Sequence, residues 1–292
     1  MNRGLLDPKI DFVFKKIFGS EKHPRVLISF LNAILKPINP ISNVEIRNSD
    51  LEKEFLDDKF SRLDIKARTN KNEIINIEIQ LKNENNMVKR SLYYLSKMYE
   101  EQLNEKEDYS KLVRTVCINI LNFKYLKTDN FHTGYRFKEI ESNEELTDIM
   151  EVHFIEIPKL QDSSDEKDML VAWTEFLKDP ESEKVRGLEL SIEEIRQAKD
   201  ELIRMSNDST QRELYDMRAN SLRDKMSELN AAERKGIEKG REEGREEGRK
   251  EGIEEGRKEE KIEIARNMKL SGLDTNTIAK ITNLSEDEID KL

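Results

Sequence analysis

The sequence predicts an α/β fold, and three observations predict it. Between Leu63 and Leu81 apolar and polar residues alternate with period two, in two runs separated by the polar turn Thr69–Glu73. Val113–Leu121 (VRTVCINIL) is a near-continuous apolar run rich in β-branched residues, the pattern of a strand covered on both faces. Apolar residues then recur at three- and four-residue steps in Lys9–Phe18 before these strands and in Val88–Leu103 between them, which is the spacing of helices packed on a sheet.

The hairpin organises the rest. Leu63, Ile65 and Ala67 alternate with Arg62, Asp64, Lys66 and Arg68, while Ile75, Ile77, Ile79 and Leu81 alternate with Asn76, Glu78 and Gln80. Only registers that set apolar opposite apolar keep one buried face intact. A turn centred on Lys71 does so, pairing Ala67 with Ile75, Ile65 with Ile77 and Leu63 with Ile79. Asp64 then faces Glu78 with Cβ atoms roughly 4.5–5.5 Å apart, and Arg62 faces Gln80; a two-residue slip makes the two acids diagonal neighbours instead. Paired carboxylates repel unless a cation lies between them, and hard oxygen donors at that spacing suit Mg²⁺ or Mn²⁺. Taken alone, the same residues equally describe the solvated face of a hairpin neutralised by Arg62, Lys66 and Arg68, which is the commoner arrangement.

In chain order, the helix Lys9–Phe18 buries Ile10, Val13, Phe14 and Ile17, stops at Gly19, and carries Asp11 and Lys15 one turn apart. Val26–Leu35 is a second amphipathic helix, ended by Pro37 and Pro40. Val44-Glu45-Ile46 offers a first strand, and Asp57 and Asp58 stand at the hairpin mouth. In the helix after the hairpin, Val88, Leu92, Leu95, Tyr99 and Leu103 form the expected packing stripe, with Arg90 and Tyr94 one turn apart. A further strand is expected at Val152–Ile157, after the His132–Phe137 segment; the period turns helical from Glu166 until Asp179-Pro180, with Met169, Leu170, Trp173, Phe176 and Leu177 on one face, and two more helices are expected at Ile192–Met205 and Gln211–Leu229. His23, His132 and His153 show no ligand spacing, which argues against a histidine metal site or a Ser-His site. Gly236, Gly240, Gly244, Gly248, Gly252 and Gly256 repeat every four residues in a Glu/Arg-rich background. Each costs a helix roughly 1 kcal/mol relative to Ala, and Glu-Arg pairs contribute only about 0.2–0.5 kcal/mol each. That segment is either a charged tether or a helix that gains stability from a second copy. Residues 262–292 have a helix-turn-helix rhythm with a cap at Asp274 or Thr275 and a capping box, Ser285 to Glu288. The last helix is short and acidic, a poor reader of a major groove.

Four ordered blocks carry a resemblance: Asp11-Phe-Val-Phe-Lys15-Lys-Ile-Phe18-Gly19, Asp58-Lys59-Phe-Ser-Arg62-Leu-Asp64-Ile, Asn76-Ile-Glu78-Ile-Gln80, and Arg90 followed by Tyr94. The chain resembles the Rpn group of recombination-promoting nucleases, transposase-like members of the PD-(D/E)XK nuclease superfamily. The resemblance implies a restriction-endonuclease-like α/β core with a C-terminal helical extension. It further implies Mg²⁺ (or Mn²⁺ or Ca²⁺) held by Asp64 and Glu78, with Asp11 lent by the opening helix, and hydrolysis of a phosphodiester in double-stranded DNA. Arg90 and Tyr94 are placed by it near the scissile phosphate. Where the superfamily usually has Lys, this chain has Gln80, which positions water but offers neither base nor charge; Lys82, expected on the Gln80 strand face, and Lys66 on the neighbouring strand are the candidate replacements. The expected organisation is a nuclease-like domain at 1–180, a helical region at 181–230, the Gly-repeat segment at 231–261 and the small tail at 262–292.

Composition narrows the function classes. A net charge of -10 and a pI near 5.2 exclude a general polyanion-coating protein, so any DNA surface must be local. With 36% hydrophobic and 38% charged residues, part of the chain must be exposed helix or tail. Cys117, the single cysteine, excludes a disulfide framework and a zinc cluster, and is expected as an inert core residue. No apolar run of signal or membrane length is present, so a cytoplasmic protein is expected. Two function readings follow: a metal-dependent DNA endonuclease of recombination, mobile elements or phage defence, or a catalytically silent scaffold assembling as a homo-oligomer through its C-terminal helices.

Overall fold

The computed structural model describes residues 4–47, 65–165 and 167–292. It divides into two units, Met1–Leu222 and Arg223–Leu292. In the first, a six-stranded sheet has the order β1-β2-β3-β4-β6-β5, with β1 Val44–Arg47, β2 Ile65–Thr69, β3 Ile74–Gln80, β4 Thr115–Leu121, β5 His132–Lys138 and β6 Glu145–Glu156. β2 pairs antiparallel with β3, joining Ala67 to Ile75 and Ile65 to Ile77, the expected register. Asn72 makes the tight turn between them, at φ 65, where a short polar side chain is tolerated. The expected pairs Asp64–Glu78, Arg62–Gln80 and Leu63–Ile79 lie outside the described residues, as do Asp57 and Asp58.

β3, β4 and β6 run parallel, and β4 is buried along its whole length, as its unbroken apolar run requires. One sheet face, bearing Ile65, Ala67, Ile75, Ile77, Ile79, Val116, Ile118 and Ile120, packs in the main core with helices α1 (Asp11–Phe18), α2 (Pro24–Leu35), α4 (Met169–Lys178), α5 (Glu183–Ser191) and α6 (Glu193–Asn207). Its centre is aromatic: Phe18 stacks on Phe14 at 4.7 Å and meets Trp173 edge-on at 5.3 Å between ring centroids. Helix α5 falls in the expected helical region 181–230, but its short stripe, Val185 and Leu188, is too brief to delimit it by period.

The other face is covered by α3 (Met87–Glu100), which crosses from β3 to β4. Its buried side is Met87, Ser91, Tyr94, Leu95 and Met98, whereas Val88 and Leu92 are exposed. The helix is therefore rotated from the expected stripe. The sheet face beneath it is mixed: Met87 and Leu95 pack on Cys117, Leu121, Val152 and Phe154, while Ser91 seats against Asn119, where a leucine would leave the amide unpaired.

The second unit holds the remainder of helix α7 (Ser209–Leu270), α8 (Thr275–Thr282) and α9 (Glu286–Asp290). The Gly-repeat residues are helical and exposed. Ala265, Ile278, Leu284 and Ile289 form its small core. Asp274 caps α8, and Ser285 and Glu288 close the expected capping box of α9. No helix among the described residues is long and apolar enough to cross a membrane.

Candidate active site

The polar face of β3 is enclosed, not solvated. Asn76, Glu78 and Gln80 project toward α3, and β4 sets Cys117 opposite Asn76 and Asn119 opposite Glu78. Asn76, Cys117 and Asn119 are 0% exposed and Glu78 only 1%. An ionised carboxylate in such surroundings costs several kcal/mol unless it is paired. Arg90, one turn into α3, brings its Nε to 3.4 Å from Glu78 Oε2. Its guanidinium lies over the Tyr94 ring, 5.4 Å from the centroid, an arrangement that favours a cation. Tyr94 itself is buried beside Met98 and Ile74.

Beneath Glu78 the floor is fixed by hydrogen bonds. Asn119 Oδ1 lies 2.9 Å from Ser91 Oγ, and Asn119 Nδ2 donates to the His153 carbonyl at 3.1 Å. Asn76 Nδ2 reaches Cys117 Sγ at 3.7 Å, and Asn76 Oδ1 has no hydrogen-bond partner among the described residues. Burial first, and the Glu78 charge second, push the Cys117 thiol up to about 12, so it is unreactive at neutral pH.

The remaining sequence candidates are scattered. Asp64 lies outside the described residues. Asp11 is half exposed, with Oδ2 3.5 Å from Arg218 Nη1, and its helix packs on the sheet face opposite Glu78. Lys66 shares the Glu78 face across from Asn76, but its ammonium lies 3.2 Å from Glu101 Oε2. Lys82 does not share a strand face with Gln80: β3 ends at Gln80, and Lys82 sits in the bend beyond it, before Asn85 turns the chain at φ 57. Among the described residues no three His, Cys, Asp or Glu side chains gather as a metal site. The donor set at β3 is nevertheless hard oxygen, a carboxylate flanked by two amide carbonyls, of which the inner one is an unpartnered acceptor; this chemistry fits Mg²⁺ or Mn²⁺. On the same sheet face, past the C-terminal part of α3, runs a groove of about 850 Å³ whose walls carry Arg47, Lys66, Arg68 and Lys111 together with Glu45, Glu100 and Glu101.

Asn119 and Ser91 escaped sequence reasoning, and so did a second cluster at the far sheet edge. His132 Nε2 meets His153 Nδ1 at 2.9 Å, and His153 Nε2 lies 2.6 Å from Glu151 Oε1. Glu151 also pairs with Arg114 and Arg136, and Arg114 reaches Glu73 at 2.8 Å. Close approach of the rings depends on Gly134, where a Cβ would stand 3.1 Å from His153. Glu151 and His153, two apart on a strand, were a usable signal; the partnership with His132 needed the β5–β6 register.

The α/β core thus sets an acid, Glu78, and an amide, Gln80, two apart on a central strand, with Arg90 on the crossover helix. Residues 8–232 match the model of the PD-(D/E)XK nuclease family transposases, and the chain belongs to that family. Residues 258–292 match the Rpn/YhgA-like nuclease family C-terminal HTH domain, which narrows the membership to the Rpn group. No curated protein and no solved structure matches the chain.

Proposed function

We propose that this protein is a divalent-metal-dependent endonuclease that hydrolyses phosphodiester bonds of double-stranded DNA, in recombination, mobile-element or phage-defence settings. The observation that carries the reading is Glu78, an enclosed carboxylate on the central strand of a PD-(D/E)XK family chain, with Arg90 as its counter-ion. Glu78 and Asp64 would hold the cation, helped by the Gln80 carbonyl, with Asp11 as a further candidate. When bound, such an ion lowers the pKa of an attacking water and offsets charge on the phosphate. Gln80 orients the water through its amide, and Arg90, steadied by the Tyr94 ring, offers donors to phosphate oxygens. Arg47, Arg68 and Lys111 along the groove, together with Lys66 and Lys82, supply cations for flanking phosphates. The HTH tail adds a second element of DNA-binding type, and the exposed Gly-repeat helix supports assembly of a homo-oligomer.

Plasmid nicking by the purified full-length protein, with and without Mg²⁺, tests the reading. Wild type should nick only with metal, and Glu78→Gln should lose at least about a hundredfold, the scale of losing a preorganised charge in a water-excluded site. Equal nicking by both proteins would refute it. A silent scaffold is the second reading, favoured by Gln80 in the usual Lys position; absence of Mn²⁺ binding that depends on Asp64 and Glu78 would select it.

A further inference from the structure

The Arg90–Glu78 pair presents a conflict within the proposed site, and the inference drawn from it rests on that reading. Glu78 is 1% exposed, and Arg90 Nε stands 3.4 Å from its Oε2. A divalent cation bound to the same carboxylate needs that approach, and the guanidinium cannot remain beside it, since two cations would share one anion at short range. The Arg90 side chain retains 28% exposure and rests on the Tyr94 ring, with no second ion pair among the described residues. It is thus tethered at one end by its aliphatic stem and free to swing along the ring toward solvent.

We infer that Arg90 is a positioning residue with two successive partners: it neutralises Glu78 while the cation is absent, and is released to a phosphate oxygen when the cation takes the carboxylate. Metal and DNA binding are then coupled through one side chain. The metal frees the donor that DNA uses, and by linkage DNA bound to Arg90 raises the affinity for metal by the same factor. The enclosed carboxylate is never left uncompensated, because one cation replaces another. The arrangement also keeps a folded, charge-balanced site in metal-free protein, where an unpaired Glu78 would be costly.

The test is calorimetric titration of Mn²⁺ into the full-length chain, without DNA. Wild type should bind in a manner abolished by Glu78→Gln. Arg90→Gln removes the competitor and should bind Mn²⁺ about tenfold more tightly, the scale of one close charge pair no longer displaced; Arg90→Lys should return the affinity toward wild type. Unchanged or weaker binding by Arg90→Gln, with Glu78-dependent binding intact in wild type, would overturn the exchange and leave the nuclease reading standing. No Glu78-dependent binding in wild type would overturn both. A second measurement does not depend on the Arg90 variants folding. In wild-type protein the Arg90 Nε–H nuclear resonance should shift with Mg²⁺ along the same saturation curve as metal binding, and a resonance that ignores saturating Mg²⁺ would sink the proposal.

Discussion

The edge cluster of β5 and β6 should make the first unit sensitive to acid through His132. With Glu151 ionised, His153 presents Nε2–H to it, which leaves His153 Nδ1 as the acceptor of the proton on His132 Nε2. Burial first, and then the neighbouring His153 and Lys36, lower the His132 pKa to about 4 from 6.5, with Asp168 and Glu151 pulling the other way. The folded chain thus takes up this proton more reluctantly than the unfolded chain. Stability is fully present above the unfolded value and is lost as pH falls toward the folded one. Between about pH 7 and about pH 4.5 the loss assignable to His132 is about 2 kcal/mol, taking 1.36 kcal/mol per pKa unit. In the same window Glu151 contributes little. Its carboxyl is pushed up by burial but held down to about 2 by His153 and Arg114, so its own stabilisation fades below the ordinary carboxylate range. His132→Gln keeps an N–H donor and cannot titrate. Urea unfolding followed by Trp173, the single tryptophan and fully buried in the main core, reads the first unit. Wild type should lose about 2 kcal/mol more than His132→Gln on acidification. Equal losses in the two proteins would refute the assignment.

Three further outcomes are expected. Arg114→Met leaves Glu73 and Glu151 without their shared cation and should destabilise the first unit by about 3–5 kcal/mol; a urea midpoint within error of wild type would contradict it. Ser285→Ala opens the capping box of α9 and should cost the second unit about 1 kcal/mol, seen as roughly fivefold faster amide exchange at Glu288. Gln80→Lys adds charge two residues from Glu78, so nicking should rise while calorimetric Mn²⁺ affinity falls; loss of nicking would mean that the amide itself is needed.

Where period and parity decide, the sequence was legible. The β2–β3 register followed from the alternation of Ile and polar residues, and β4 from its β-branched run; the α9 capping box was visible in Ser285 and Glu288. The rotation of α3 was not, because Val88, Leu92 and Leu95 suggest a stripe as convincingly as Met87, Ser91 and Leu95. Only the mixed sheet face beneath, with Asn119 under Ser91 and Leu121, Val152 and Phe154 under Met87 and Leu95, decides between them. Lys82 was misplaced for a related reason: alternation continues through Leu81 and Lys82, but the strand stops where pairing stops. The extension of α7 through six helix-weakening glycines also ran against local propensity. Of the candidate site, Glu78, Gln80, Arg90 and Tyr94 were proposed from spacing and resemblance, while the surroundings made by Asn119 and Ser91, and the His132–His153 pair, depended on which strands become neighbours.

The polar row on β3 is hard to explain by stability alone. Alternation of Ile with Asn76, Glu78 and Gln80 would suit a strand with one wet face, yet this strand is central and α3 covers that face, leaving Asn76 and Glu78 with almost no exposure. A sheet selected only to fold would carry Val or Ile there, as the opposite face does, and would gain apolar burial instead of losing free energy to desolvation. The cost grows with the groups gathered around Glu78: a serine and an arginine on the covering helix, a second asparagine on β4, and an amide oxygen with no partner. Each of these breaks a local rule at one place, and all of them converge on one carboxylate. Departures that cluster so tightly within an otherwise consistent fold are the physical ground for proposing a site there and for testing Glu78 first.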